Sequence, residues 1–255
     1  MYIIAAQILG EFMVGRIAIV VTALVLVLSV VGPARAGEVH DFHDAVADAT
    51  GHYRQAMFYL HTGNGASALF ELDEMAAKWD AVELRFADNP PDTYDNDPTW
   101  SDALVAVGEA VVAGISAAEA GDVEAARAQL APIRGALSGL RQRNGVFLFS
   151  DCIERANGAF ERLFVYRHEP PDFAAVEAMD ELRRTLAITA YWYGVCHDTA
   201  PALVADDPRF QRIMESARYS LGRMWDAMDK QDELRLINIL RELKSSDGLL
   251  YLLFG

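Results

Sequence analysis

The sequence predicts an all-α chain: two tandem antiparallel four-helix bundles that arose by an internal duplication. Apolar residues recur at the spacing of amphipathic helices along most of its length. Residues 49–75 can be laid over residues 156–182 at a constant offset. Gly51 then meets Gly158, Tyr53 meets Phe160, Tyr59 meets Tyr166, His61 meets His168, and Asp73-Glu74 meets Asp180-Glu181. The alternating pattern of half-buried strands is missing, apart from short apolar pieces at 146–149 and 249–254.

The first segment is read as an export signal. Residues 17–31 form an uncharged apolar run, preceded by Arg16 and followed by Ala34-Arg35-Ala36. This is the charged, apolar, small-residue order of a secretory signal, and the run is shorter than the ~20 residues that span a bilayer. Residues 1–36 are expected to be removed, whether translation starts at Met1 or at Met13, leaving no stable membrane anchor. The alternative is an uncleaved anchor.

The first bundle is assigned to 37–149. Residues 41–61 carry Phe42, Val46, Ala49, Tyr53, Ala56 and Leu60 on one stripe, and Gly63-Asn64-Gly65 breaks the chain. Residues 66–87 carry Leu72, Met75, Trp79, Val82 and Phe86 on another. The loop from Asp88 to Pro98 is rich in turn residues and acidic, and reads as a solvated loop. Residues 99–120 and 122–143 form a second hairpin, with Asp122 as N-cap and Gly145 as the stop. The second bundle, 150–255, repeats this as helices near 152–168, 173–196, 208–229 and 231–245. Asp97-Pro98 corresponds to Asp207-Pro208, and Asn144-Gly145 to Asp247-Gly248. On the latter match Gly248 ends the last helix. Leu249 to Phe254 is left as an apolar tail, packed on its own bundle or serving as the interface of a homodimer. Trp79, Trp100, Trp192 and Trp225 are expected inside the bundles.

The stretch 119–145, EAGDVEAARAQLAPIRGALSGLRQRNG, resembles the last helix of the cytochrome c-prime family, which opens with a similar Gly-Asp. The resemblance implies an exported four-helix bundle. The family's haem-attachment motif would fall near Ser138, Arg141 and Gln142, and none of these is a cysteine or histidine. Covalent haem needs both thiols and an axial imidazole, so the expectation is a haem-less chain.

Composition narrows the function. The chain has 255 residues, 52% of them hydrophobic, which suffices for a buried core and rules out global disorder. A net charge of −15 leaves no basic footprint for nucleic acid. No phosphate-cradling loop, His-Glu-x-x-His or nucleophile elbow is present, so an enzyme is the weakest reading.

Three groups of residues remain. His40, His43 and His52, with neighbouring carboxylates, are the ligand types for periplasmic copper or zinc. His61 and His168 read as helix-end histidines, and Asp73-Glu74 and Asp180-Glu181 as exposed helix-face carboxylates, since adjacent residues on a helix diverge. Cys152 and Cys196 are the only cysteines, and export places them where disulfides persist. As helix arms of a hairpin, however, the segments from Cys152 to His168 and from Phe173 to Cys196 differ by roughly 10 Å at ~1.5 Å per residue. Closure then needs a tilt, an offset start or a bend near Gly194. The alternative is a pair of free buried thiols.

The expected function is non-enzymatic: a periplasmic or secreted helical-bundle protein that binds a partner protein or small ligand through the interface of its bundles. The alternative is a metal-handling protein using the N-terminal histidines.

Overall fold

The computed structural model describes residues 36–255. Apart from Ala36, the expected signal segment lies outside the described residues. Among these, the chain is an all-helical bundle without a strand.

The first run of helices is α1 (Ala36–Thr62), α2 (Gly65–Phe86), α3 (Trp100–Glu119), α4 (Val123–Leu130) and α5 (Pro132–Arg143). Gly63 adopts a positive φ of 78°, and the Asn64 side chain caps α2 by accepting from the Ser67 amide at 3.2 Å. The expected helix over 122–143 is in fact two. Pro132 has no amide hydrogen to donate into the preceding turn, so the helix breaks at Ala131 and α5 starts on the proline. Successive helices pack as neighbours, and α4 closes the ring by touching α1. Their core holds Phe42, Tyr53, Leu72, Trp79, Leu104 and Leu130.

Five more helices follow: α6 (Phe149–Phe164), α7 (Val176–Asp198), the single turn α8 (Ala202–Ala205), α9 (Pro208–Asp229) and α10 (Glu233–Phe254). Here α6 packs on α7, α7 on α9, α9 on α10, and α10 back on α6. The second core holds Phe160, Leu186, Tyr193, Phe210, Met224 and Leu240. The two cores meet where α10 touches α1, and Tyr251 packs against both.

Cys152 and Cys196 are joined by a disulfide, with Cα atoms 5.6 Å apart. Helix α7 runs unbroken through Gly194. The arms become compatible at the other pole: α7 begins at Val176 instead of Phe173, which shortens the longer arm by about 4.5 Å, and Val165–Arg167 continues α6 as a 3₁₀ helix. At ~2.0 Å rise per residue this turn lengthens the shorter arm before the chain reverses.

Three expectations are corrected. Gly248 does not end the last helix: α10 continues to Phe254, because Leu250 is buried and Tyr251, Leu253 and Phe254 pack on the cores. That packing outweighs the ~1 kcal/mol a helical glycine costs. The pairing of Asn144-Gly145 with Asp247-Gly248 fails with it, since Gly145 ends a helix at φ 69° and Gly248 lies within one. Finally, Trp79 and Trp100 are buried, but Trp192 is only half-buried and Trp225 is exposed.

Candidate functional site

The acidic loop after α2 is anchored as well as solvated. A 3₁₀ turn, Asp92–Tyr94, drives the Tyr94 ring fully into the first core beside Phe42 and Trp100. Its hydroxyl meets His43 Nε2 at 3.2 Å, while His43 Nδ1 is buried with no hydrogen-bond partner among the described residues. Burial, then the nearby Arg141 charge, pushes the His43 imidazole below its ordinary pKa, against the opposing pull of Asp151.

The other candidate histidines have separate partners. His40 is exposed and pairs with Asp44 at 3.2 Å, and His52 Nδ1 meets Glu71 at 2.7 Å on α2. Among the described residues no group of three or more His, Cys, Asp or Glu side chains converges in a way that would hold a metal. His61 and His168 are both exposed at helix ends. Asp180 and Glu181 are exposed and pair along their own helix with Arg183 and Arg184.

The chemistry concentrates instead at the seam between the two cores. Arg141, on the last turn of α5, and Asp151, on the first turn of α6, are both buried. The guanidinium donates through Nε at 3.0 and 2.9 Å to the two carboxylate oxygens, and through its terminal nitrogen at 2.5 Å. Asp151 also accepts from the Leu148 amide at 2.9 Å. This fork staples the short connector across which the chain passes from one core to the other.

A second chain of bonds starts about two helical turns earlier on α5 and nearly two turns later on α6. Arg134 lies 4.0 Å over the Tyr251 ring and donates to Asn157 Oδ1 at 3.1 Å. The Asn157 amide donates to Asp247 at 2.5 Å, and the Tyr193 hydroxyl donates to the other Asp247 oxygen at 2.8 Å. Every donor points towards one buried carboxylate. Desolvation raises the Asp247 pKa to about 6, although Tyr193, Lys244 and Asn157 all pull it down; Glu161 adds a small push upward. Arg54 of α1 donates through Nε to the Leu252 carbonyl at 3.3 Å.

Arg54, Arg134 and Tyr251, together with Tyr53, Arg141 and Glu154, line a half-open cavity of about 50 Å³. On the far side of the Arg141–Asp151 pair lies an open cleft of about 520 Å³, lined by Ser138, Gln142, Phe147, Asp151, Glu154 and Arg155. The Arg155 guanidinium sits over two rings, Phe147 at 4.8 Å and Trp192 at 5.1 Å.

None of the seam residues was singled out from the sequence as a site. A signal was present. Arg141 follows Leu137 by one turn, and Asp247 lies on the same helix face as Leu243 and Leu250, so each places a charge on an apolar stripe.

No family model matches the chain, and no curated protein or solved structure matches it significantly.

Proposed function

We propose that this is an exported, non-enzymatic protein that binds a small ligand at the seam between two tandem four-helix bundles. The single observation that carries the reading is the concentration of cationic and hydroxyl side chains at the seam: Arg54, Arg134, Arg141, Tyr53 and Tyr251 line one cavity in a chain of net charge −15. Ligand sites collect where packed units meet, and convergent polar groups in a concave setting are their usual mark.

Duplication is supported by parallel joints in the two halves. Asp97 and Asp207, each before a proline, both accept from the amide two residues on, at 2.9 and 2.7 Å, and both are held at a pKa of about 2. For Asp97, burial opposes the Thr99, Asn144 and Arg143 contacts that lower it; for Asp207, the Arg209 side chain and amide dominate. Asp122 and Asp232 both cap the next helix, at 2.9 and 3.0 Å, after a residue of positive φ, Gly121 or Gln231. Tandem bundles of this kind resemble the cytochrome c-prime architecture without its covalent haem. Export is supported by the apolar segment at 17–31 and by the disulfide.

The test is native mass spectrometry of the protein purified from the compartment into which it is exported. The reading expects a bound species below protein size, lost when Arg134→Ala and Tyr251→Ala are combined. A ligand retained by that variant, or copper or zinc bound tightly through His40 and His43, would contradict it.

A further inference from the structure

We propose that the cavity between Arg54 and Arg134 is a binding site for a small oxyanion, the carboxylate or phosphate group of the ligand; this rests on, and deepens, the seam-binding reading. Charge balance is the first argument. The surface arginines Arg183, Arg184, Arg209 and Arg223 each face a carboxylate at 2.5–3.0 Å. Arg54 and Arg134 face none among the described residues; Arg155 and Arg212 face none either but are exposed, whereas Arg54 and Arg134 are half-buried, where an unpaired guanidinium costs more than in open solvent. Arg141 is already neutralised by Asp151, so the side chains lining the cavity bring two free guanidinium charges against one side-chain carboxylate, Glu154, and Gly255 borders the same space.

Orientation is the second argument. Each guanidinium is fixed by a single strong constraint that leaves donors over. Arg54 spends Nε on the Leu252 carbonyl. Arg134 spends one terminal nitrogen on Asn157 and its face on Tyr251. Neither has a fully buried nitrogen left without a partner, so the remaining N–H groups keep access to solvent, and both side chains line the cavity. Two guanidiniums held from different helices, α1 and α5, present pre-organised donors, which reduces the ordering cost of binding. Tyr53 and Tyr251 also line the cavity, with their hydroxyls hydrogen-bonded to each other. At ~10–15 Å³ per water, about 50 Å³ admits a few waters or one small oxyanion, and no larger head group.

Glu154 sets the preference within that class. A hydrogen phosphate can donate its proton to the Glu154 carboxylate, whereas sulfate and acetate at neutral pH have no proton to give. Phosphate binding without sulfate or acetate binding would assign a phosphate group; acetate binding would assign a carboxylate.

The experiment is calorimetric titration of the full chain with inorganic phosphate, sulfate and acetate at pH 7 and constant ionic strength. The expected result is saturable one-to-one binding of phosphate or acetate, weakened at least tenfold by Arg54→Gln and by Arg134→Gln and unchanged by Arg155→Gln in the neighbouring cleft. Melting curves without anion check that the variants fold, and ³¹P line broadening of phosphate by the unaltered protein needs no variant. No saturable binding of any of the three, or binding indifferent to both substitutions, overturns the proposal. Binding gained only in a chain lengthened beyond Gly255, which borders the cavity, would show that the chain itself fills the site and would also overturn it. A neutral ligand mapped to the seam would overturn the oxyanion assignment alone, whereas a ligand mapped elsewhere would overturn the seam reading as well.

Discussion

Asp247 is the most expensive charge in the second core, and its cost is measurable. The residue is 1% exposed, and desolvation lifts its pKa from 3.8 to about 6. Each pKa unit is worth about 1.4 kcal/mol, so ionising this carboxyl in the folded state costs about 3 kcal/mol relative to the unfolded chain. The sign follows from proton counting. Between pH 4 and 6 the folded state holds a proton that the unfolded state has released. The contribution is therefore fully present below pH 4 and is lost as pH rises through 6. Asp247→Asn removes the titration. Its amide nitrogen can donate to the Tyr193 oxygen while its carbonyl still accepts from Asn157, which preserves the direction of the Arg134–Asn157 bond. The fixed offset between the two proteins depends on how the Tyr193 hydrogen is rehoused. The pH dependence of that offset does not. Urea unfolding at pH 4, 5, 6 and 7 should show the variant gaining about 2.4 kcal/mol on the parent from pH 4 to pH 7, because the unfolded carboxyl is already more than half ionised at pH 4. Groups such as His43 titrate in both proteins and cancel. An offset constant across that range would refute the assignment of a raised pKa to this network.

Other perturbations and one titration have outcomes fixed by the same structure. Reducing the Cys152–Cys196 bridge, which closes a loop of 44 residues, should cost about 4 kcal/mol in the chain-entropy picture. A melting temperature unchanged by reductant, with two thiols titrating before reduction, would contradict it. Arg141→Met should destabilise by about 3–5 kcal/mol by stranding Asp151, and Arg141→Met with Asp151→Leu should recover most of that; equal losses in single and double variants would show the pair is not the cause. At Gly114 a new Cβ would lie 2.7 Å from the buried Leu130 side chain, so Gly114→Ala should destabilise by about 1 kcal/mol net of its helix-propensity gain. Gly135→Ala meets nothing within 4 Å and should raise the melting temperature instead, and the reverse ordering of the two would contradict the packing. The His43 ring should titrate by NMR below its ordinary 6.5, so its contribution to stability declines as pH falls through that range; a midpoint above 6.5 would contradict its burial.

Elements were legible where local chemistry and packing agree. The helix at 208–229 could be bounded from sequence because Asp207 caps it, Pro208 occupies its first turn and the chain reverses at Lys230-Gln231. The core stripe of α2, from Leu72 to Phe86, was legible for the same reason. The last helix was misread because Gly248 carries a local stop signal that tertiary burial of Leu250 overrides, and that burial depends on helices far away in sequence. The loop from Asp88 to Pro98 was misread in the opposite way, since an acidic, proline-rich segment gives no local hint that one ring, Tyr94, plugs the core. The seam was hardest to see. Arg54, Arg134, Asn157 and Asp247 lie on four different helices, so only the packing of one core against the other brings them together. A charge on an apolar stripe marks such residues singly, but it does not say which will meet.

The most direct test of the seam as an anion-binding ligand site is to follow the side-chain Nε–H resonances of ¹⁵N-labelled arginine while phosphate is added at constant ionic strength. The account predicts that Arg54 and Arg134 shift along one saturating curve. Arg183 and Arg184, paired on the exposed face of α7, should stay in place. Parallel, unsaturated drift of all four, or movement of the surface pair alone, would contradict it.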